Sequence, residues 1–288
     1  MTTLANKIDF AVILRTTKAN PNGDPLNGNR PRIDYDGYGE ISDVCIKRKI
    51  RDRLMEAKDE SGDYLFSIFV QSDERKVDDA KSLKDRADRA FKDNLTVENA
   101  CKKWFDVRAF GQVFAFKSAN SKKKKGEDKE EGGDTGVSIP IRGPVSIHSA
   151  FSVDPIRQES IQITKSVNSE TTEDGKKSSD TMGMKHRVDD AVYVFFGSMN
   201  PQLAEKTGFS NDDALTIKEI LPRIFENDES SARPAGSMRV LKVFWWDHGC
   251  KAGKHSSAKV HGSLKVKSDG SYYLDNIEGL EPEIIDGF

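Results

Sequence analysis

Lys7-Ile8-Asp9-Phe10-Ala11-Val12-Ile13-Leu14-Arg15-Thr16 carries apolar side chains at Ile8, Phe10, Val12 and Leu14. That period of two predicts a strand over 7–16. The chain then runs through Ala19-Asn20-Pro21-Asn22-Gly23-Asp24-Pro25-Leu26-Asn27-Gly28-Asn29-Arg30-Pro31-Arg32 and, beyond Gly39, into Ser42-Asp43-Val44-Cys45-Ile46-Lys47-Arg48-Lys49-Ile50-Arg51-Asp52-Arg53. The middle piece is dense in turn signals, namely Asn-Pro, Asn-Gly, Asp-Pro, Asn-Gly and Arg-Pro. From Thr17 to Gly39 it covers about 23 residues, and loops of that length in a compact domain are often functional. The third piece predicts a helix to about Lys58, with Ser42 as N-cap and Ile46, Ile50, Leu54 and Ala57 as the buried stripe. Lys47, Arg51 and Lys58 then share a neighbouring face, with Arg48 beside it. A loop offering backbone N–H groups and side-chain amides beside a helix offering cations suits a polyanion.

Working outward, residues 60–105 are polar and mostly helical in pattern, and read as an inserted helical subdomain. Phe110–Phe116 reads as a strand, and 118–136, with almost no apolar residue, as a mobile loop. Strands resume over 137–153. Ser160–Val167 reads as one arm of a hairpin, 168–180 as its tip, and Met184–Phe196 as the return to the core. A second helix is predicted over 212–226 with Asp212 as N-cap and Pro222 as a kink, followed by a strongly apolar strand, Met238–Trp246. Val260–Lys267 and Ser271–Asp275 complete a final hairpin. Without the insertions the order is strand, helix, strand, strand, helix, strand. This predicts an α+β chain with a ferredoxin-like, RRM-like palm as a single domain over 1–288. The order by itself says little about activity, because the fold hosts many.

The 288 residues include 45 Lys plus Arg and 47 Asp plus Glu, a net charge of −2, so diffuse attraction to nucleic acid is excluded and any cations that bind it must be concentrated locally. The three cysteines, Cys45, Cys101 and Cys250, are odd in number and without paired spacing, which argues against a disulfide framework and for a cytoplasmic setting. No apolar run approaches the roughly 18–20 residues that span a bilayer.

Five stretches carry candidate binding residues. The first is the loop and helix, with Asn20, Asn22, Lys47, Arg48, Lys49 and Arg51; its plain alternative is a solvated helix face. The second is Trp104-Phe105-Asp106-Val107-Arg108-Ala109-Phe110-Gly111, where Arg108 sits beside an aromatic pair at the mouth of a strand, or else in a core-edge cluster. The third, Ile141-Arg142-Gly143-Pro144, allows close backbone approach near Arg142, or is a strand-end turn. The fourth is Met182-Gly183-Met184-Lys185-His186-Arg187, where three cations suit phosphate and Met182 and Met184 can wedge between bases. The fifth is Ser230-Ser231-Ala232-Arg233-Pro234, whose small residues suit a ligand's approach near Ser231 and Arg233. Catalytic patterns are poor: there is no P-loop, dinucleotide fingerprint or nucleophile elbow. His248, Cys250, His255 and His261 match no zinc spacing, and no cofactor is expected.

Taken together, Asn-Pro-Asn-Gly-Asp-Pro (20–25), residues 42–52, Asp-Val-Arg-Ala-Phe-Gly (106–111), Arg-Gly-Pro-Val-Ser-Ile (142–147), Met-Gly-Met-Lys-His-Arg-Val (182–188) and Ser-Ser-Ala-Arg-Pro-Ala-Gly-Ser-Met (230–238) resemble the CRISPR-associated backbone subunit of type I-C Cascade, of the RAMP superfamily. The resemblance covers nearly the whole chain except 121–136 and 168–180. It implies a hand-like RRM palm, a thumb hairpin within about 155–190, and a head-to-tail helical filament of copies along the CRISPR RNA spacer, which the thumb kinks and presents to a target DNA strand. It also implies a guide-processing subunit, a large subunit and a small subunit as neighbours, and no nuclease activity in this subunit. Lys47, Arg48, Lys49, Arg51, Arg108, Lys185 and Arg187 are then expected on RNA phosphates. Together with Met182 and Met184 they are joined by Asn20, Asn22, Arg142, His186, Ser231 and Arg233, and 142 with 182–187 would form the far wall of the groove. Two alternatives stay open. One is a metal-dependent RNA endonuclease using a loop aspartate, Asp24, Asp34 or Asp36, as related type III subunits do. The other is a pure protein scaffold.

Overall fold

The computed structural model describes residues 2–92, 94–115, 138–164 and 182–288. The expected mobile loop at 118–136 and hairpin tip at 168–180 lie outside them. In chain order the elements are β1 (Ile8–Ala19), β2 (Gly23–Asp24), β3 (Arg30–Pro31), β4 (Tyr38–Ile41), α1 (Asp43–Glu56), α2 (Leu83–Phe91), α3 (Val97–Lys103), α4 (Phe105–Phe110), β5 (Gly111–Ala115) and β6 (Ser138–Arg142). There follow β7 (Val145–Ile147), β8 (Ala150–Pro155), β9 (Gln158–Thr164), β10 (Met182–Met199), α5 (Pro201–Thr207), α6 (Asn211–Ile220), β11 (Met238–Asp247), α7 (Ser257–Gly262), β12 (Leu264–Val266), β13 (Tyr272–Leu274) and β14 (Glu283–Asp286).

An antiparallel sheet in the order β14-β11-β1-β10-β8-β4 organises the chain, with β7 and β9 also paired to β10. β1 lies at its centre, running from Ile8 opposite Met199 to Ala19 opposite Val188 on one side, and opposite β11 on the other. Phe10, Val12 and Leu14 face the larger core with Ile46, Ile50 and Leu54 of α1 and Ile217 of α6. The period of two in β1 predicts one buried face, yet both are buried. Ala11 and Ile13 pack under a second cluster of Phe244, Trp246, Val260 and Leu264, because the segment from α7 to β13 covers the back of the sheet.

Helix α1 starts where its sequence says it should. The Ser42 hydroxyl accepts from the Cys45 N–H at 3.3 Å, and Asp43 sits in the first turn, where the helix dipole favours an acid. Other boundaries depart from expectation. The 60–105 stretch is less helical than predicted, since helices begin only at Leu83. Phe110 ends α4 instead of opening a strand: Gly111 turns the chain at φ 81°, where a Cβ would lie 2.3 Å from the Ile141 carbonyl oxygen. Helix α6 is capped by Ser210, not Asp212, in a reciprocal pairing with Asp213, and gives way to a 3-10 turn at Leu221–Arg223, where Pro222 lacks the N–H to continue. Val260 belongs to α7 and not to the last hairpin, which is only β12 with β13. β14, too short to announce itself, closes the sheet edge against β11.

Candidate nucleic-acid interface

The turn-rich loop is fastened at three points. Asn20, buried at the end of β1, donates its N–H to the Ala232 carbonyl at 2.9 Å and its side-chain amide to the Asn29 carbonyl at 2.7 Å. The Asn22 side-chain oxygen accepts from the Ser42 N–H at 3.0 Å and from its hydroxyl at 2.9 Å, tying the loop to the first turn of α1. The Gln158 amide donates to the Pro31 carbonyl at 2.8 Å and the Ile156 N–H to that of Gly37 at 2.9 Å, so the loop also braces the start of β9. Asn20 and Asn22 thus shape the loop.

From that point β9 and β10 form a two-stranded ribbon, from Gln158 opposite Val188 out to Thr164 opposite Met182. Ile161, Ile163, Met182 and Met184 are exposed on it, the methionines by 58% and 55%. His186 is buried at its base, with Nδ1 2.8 Å from the Ser160 hydroxyl, and Arg187 donates to Glu159 at 2.8 Å. Lys185 has no carboxylate partner among the described residues. Beside the loop lies the 227–237 segment, where Arg233 donates to Asp228 at 2.8 Å and Ser231 is exposed. Three buried polar atoms at this junction, Asn20 Oδ1, Arg32 Nε and Ser237 Oγ, have no hydrogen-bond partner. Arg32 and Ser237 were not among the residues picked from sequence, and nothing in their local motif marks them.

The basic run of α1 does not form one face. Lys49, 1% exposed, is ion-paired with Asp228, and burial pushes its pKa down against that pairing. Arg51 donates to buried Asp106 at 2.9 Å and lies over the Phe110 ring at 5.2 Å. Lys47 pairs with Asp43 at 2.9 Å, one turn back. Arg48, 38% exposed, reaches Asp52 at 3.5 Å and Asp228 at 4.0 Å and is the most open of the four. A helix packed on a sheet must turn some of its circumference inward, and here internal acids receive two of the cations. Arg108 likewise forks onto Asp213, at 2.9 and 2.8 Å, joining α4 to α6.

Arg142 is exposed but lies apart from Lys185 and Arg187. Its strand partner is Gly111, beside the Phe110 ring that Lys47 approaches, while the Pro144 carbonyl accepts from Asn200 at the opposite end of β10. The expected far wall is therefore split, with Arg142 and 182–187 at opposite ends of one long strand.

Two of the three loop acids are engaged as turn formers. Asp24 accepts from the Leu26 N–H at 3.2 Å, and Asp34 from those of Asp36 at 3.0 Å and Tyr38 at 2.9 Å. Among the described residues no group of three or more His, Cys, Asp or Glu could hold a metal ion. His248 instead lies 2.8 Å from buried Asp9. No helix among the described residues is long and apolar enough to cross a membrane.

A family model described as CRISPR-associated protein Cas7 matches residues 6–282. A CRISPR-associated protein Cas7 of Haloferax volcanii is 28% identical over 303 residues, covering 99% of this chain and 82% of that protein. Among solved structures, a chain of a CRISPR RNA-guided surveillance complex in a pre-nicking state aligns with a TM-score of 0.43 and 14% identity, over 83% of this chain and 78% of that one. A chain of another CRISPR RNA-guided surveillance complex aligns at 0.41 and 17%, over 83% and 68%.

Proposed function

The chain belongs to the CRISPR-associated protein Cas7 family, and from that premise we propose that it is a non-catalytic CRISPR RNA-binding subunit, of type I-C Cascade. In this reading copies assemble head to tail along the guide spacer in the cytoplasm and present it to a target DNA strand, beside the guide-processing, large and small subunits. The order β11-β1-β10-β8, with α1 and α6 on one face, supports a ferredoxin-like, RRM-like palm. The β9–β10 ribbon is the thumb, and α2 and α3 belong to the inserted subdomain at about 60–105.

The observation that carries the reading is the junction of the turn-rich loop, the ribbon base and the 227–237 segment. Exposed Ser231, half-buried Arg48, Lys185, Arg187 and Arg233, and the unpartnered Nε of Arg32 lie on the four parts of the chain that meet there. Guide recognition of this kind reads backbone and shape, leaving sequence to base pairing. A near-neutral chain with local cations also lets copies stack without strong mutual repulsion.

The test is to co-express the chain with a CRISPR array and its neighbouring subunits, and size the purified particle while reading absorbance at both the nucleic-acid and protein maxima. A large, RNA-rich particle is expected, and incubation with complementary RNA and magnesium should leave that RNA intact. A nucleic-acid-free monomer would overturn the guide-binding reading. A discrete RNA cleavage product would overturn the non-catalytic one, and a particle that keeps its stoichiometry after nuclease treatment would favour the scaffold.

A further inference from the structure

Among the described residues, four that are not glycine have positive φ: Lys18, Asn29, Lys92 and Asn227. The asparagines tolerate that conformation, but Lys18 sits at 53° inside β1, between the register pairs Thr17 with Asp190 and Ala19 with Val188. A strained non-glycine residue persists where its surroundings over-determine it. Here the Lys18 ammonium is shared between Glu159 of β9, at 3.0 Å, and Asp189 of β10. Arg187 donates to the second oxygen of Glu159 at 2.8 Å, and Arg15 and Thr17 hold Asp190 at 2.6 to 2.9 Å. One cation on the central strand therefore grips both arms of the ribbon where they leave the sheet.

Beyond this base β9 pairs with β10 alone, and Ile161, Ile163, Met182 and Met184 are exposed. Among the described residues the outer ribbon has no third strand to fix its direction, so its angle to the sheet is decided at the base. We propose that Lys18 is the positioning residue that sets the angle of the β9–β10 ribbon and, resting on the guide-binding reading for this consequence, the shape of the RNA path beneath it. The strained backbone and the shared ammonium act together: the left-handed turn offers the ammonium to both acids, and the acids hold the turn. Because the network is open to solvent, its hold weakens as salt screens it.

The experiment measures the distance distribution between spin labels at Gln162→Cys on β9 and Leu215→Cys on α6, in a Cys45→Ser, Cys250→Ser background. Cys101 is buried, with its thiol pushed up to about 11, and stays unlabelled. Wild type should give a single narrow distribution. Lys18→Asn, which accepts the left-handed backbone without the ammonium, should broaden it about twofold, while Lys18→Arg should keep it narrow. Wild type in about 1 M NaCl should broaden toward the Asn variant. In parallel, fluorescein-labelled single-stranded RNA should bind Lys18→Asn about fivefold more weakly, if the competent orientation falls to about one in five. A Lys18→Asn distribution as narrow as wild type overturns the proposal. So does weaker RNA binding with unchanged distances, which would make Lys18 a direct contact. If wild type binds no RNA, the guide-binding reading fails while the distances still decide the role of Lys18.

Discussion

Lys49 of α1 and Asp228 of the 227–237 segment form a buried ion pair, the lysine side chain 1% and the aspartate 9% exposed. It joins the helix after β1 to the segment before β11, 179 positions apart in sequence. Breaking one side of such a pair strands a charge away from water, at a cost of about 3 kcal/mol. Asp228→Ala should therefore lower stability by about that much, read as a shift of the urea midpoint at constant slope. Lys49→Met with Asp228→Leu should recover part of the loss, since no buried lysine charge is then stranded, while Arg233 still loses its partner. A single variant as stable as wild type would refute the structural role.

The cations divide into those spent inside the fold and those left outside. Arg51→Ala removes the partner of Asp106, whose oxygens also accept from the Phe69 and Val70 N–H groups at 2.7 and 3.0 Å. It should lower the melting temperature. Lys185→Ala should leave melting unchanged, weaken RNA binding, and reduce the slope of log affinity against log salt by about 1. Calorimetry and binding titrations at several salt concentrations separate the two, and a melting loss for Lys185→Ala would refute its assignment.

Acidification should destabilise the fold earlier than carboxylate titration would. His248 is completely buried, and burial lowers its pKa despite its bond to Asp9. His148 is lowered in the same direction, by burial and by His261, but it is exposed, so solvent screens its share. The unfolded chain takes up those protons near the ordinary histidine value of about 6.5 while the fold resists them. Stability thus falls as pH drops below that value, by at most about 1.4 kcal/mol per pH unit for each such histidine. Asp9 has a dependence of the same sign at lower pH. Burial alone would raise its pKa, but the nearby His261 and Ser257, the bond to His248 and the charge of Lys7 hold it well below the carboxylate range. Its contribution persists until pH falls far below about 4. The urea midpoint should drop between about pH 7.5 and pH 5.5; an unchanged or higher midpoint would sink the assignment.

The β1–β10 contact leaves no room for a methyl group at one point. A Cβ on Gly197 would lie 2.1 Å from the Phe10 ring, itself stacked on Trp245 at 5.8 Å. Gly197→Ala should cost about 2 kcal/mol by overpacking, and Phe10→Leu in the same chain should return part of it. Purely additive losses across that double-mutant cycle would show that the two residues do not compete for space.

Much of the sheet could be read from alternation, because β1 and β11 are long and apolar and lie next to clear turn signals. Ser42 gave away the start of α1 through its capping chemistry. The candidate site was legible only as a set of segments. Nothing local in Lys47-Arg48-Lys49-Ile50-Arg51 tells which cation will meet an acid from residue 106 or 228, since those partners arrive through tertiary packing. For the same reason Arg142 looked like a neighbour of Lys185 until β10 set them at opposite ends. β14 and the Lys18 conformation left no trace in pattern, one being too short and the other a backbone state that a lysine side chain does not advertise.

The central place of β1 also shapes how the chain comes into being. Its partners, β10 and β11, end at Met199 and Asp247, so β1, synthesised long before them, stays without either neighbour until some 180 further residues have been made. At about 5–20 residues per second that wait is ten seconds or more. Throughout it an apolar segment with open backbone groups on both sides is exposed to solvent and to other nascent chains. Folding dominated by such distant pairings is slow, on the scale of milliseconds to seconds once the chain is complete. Expression yield should therefore respond more to growth temperature and chaperone supply than to the stability of the finished fold.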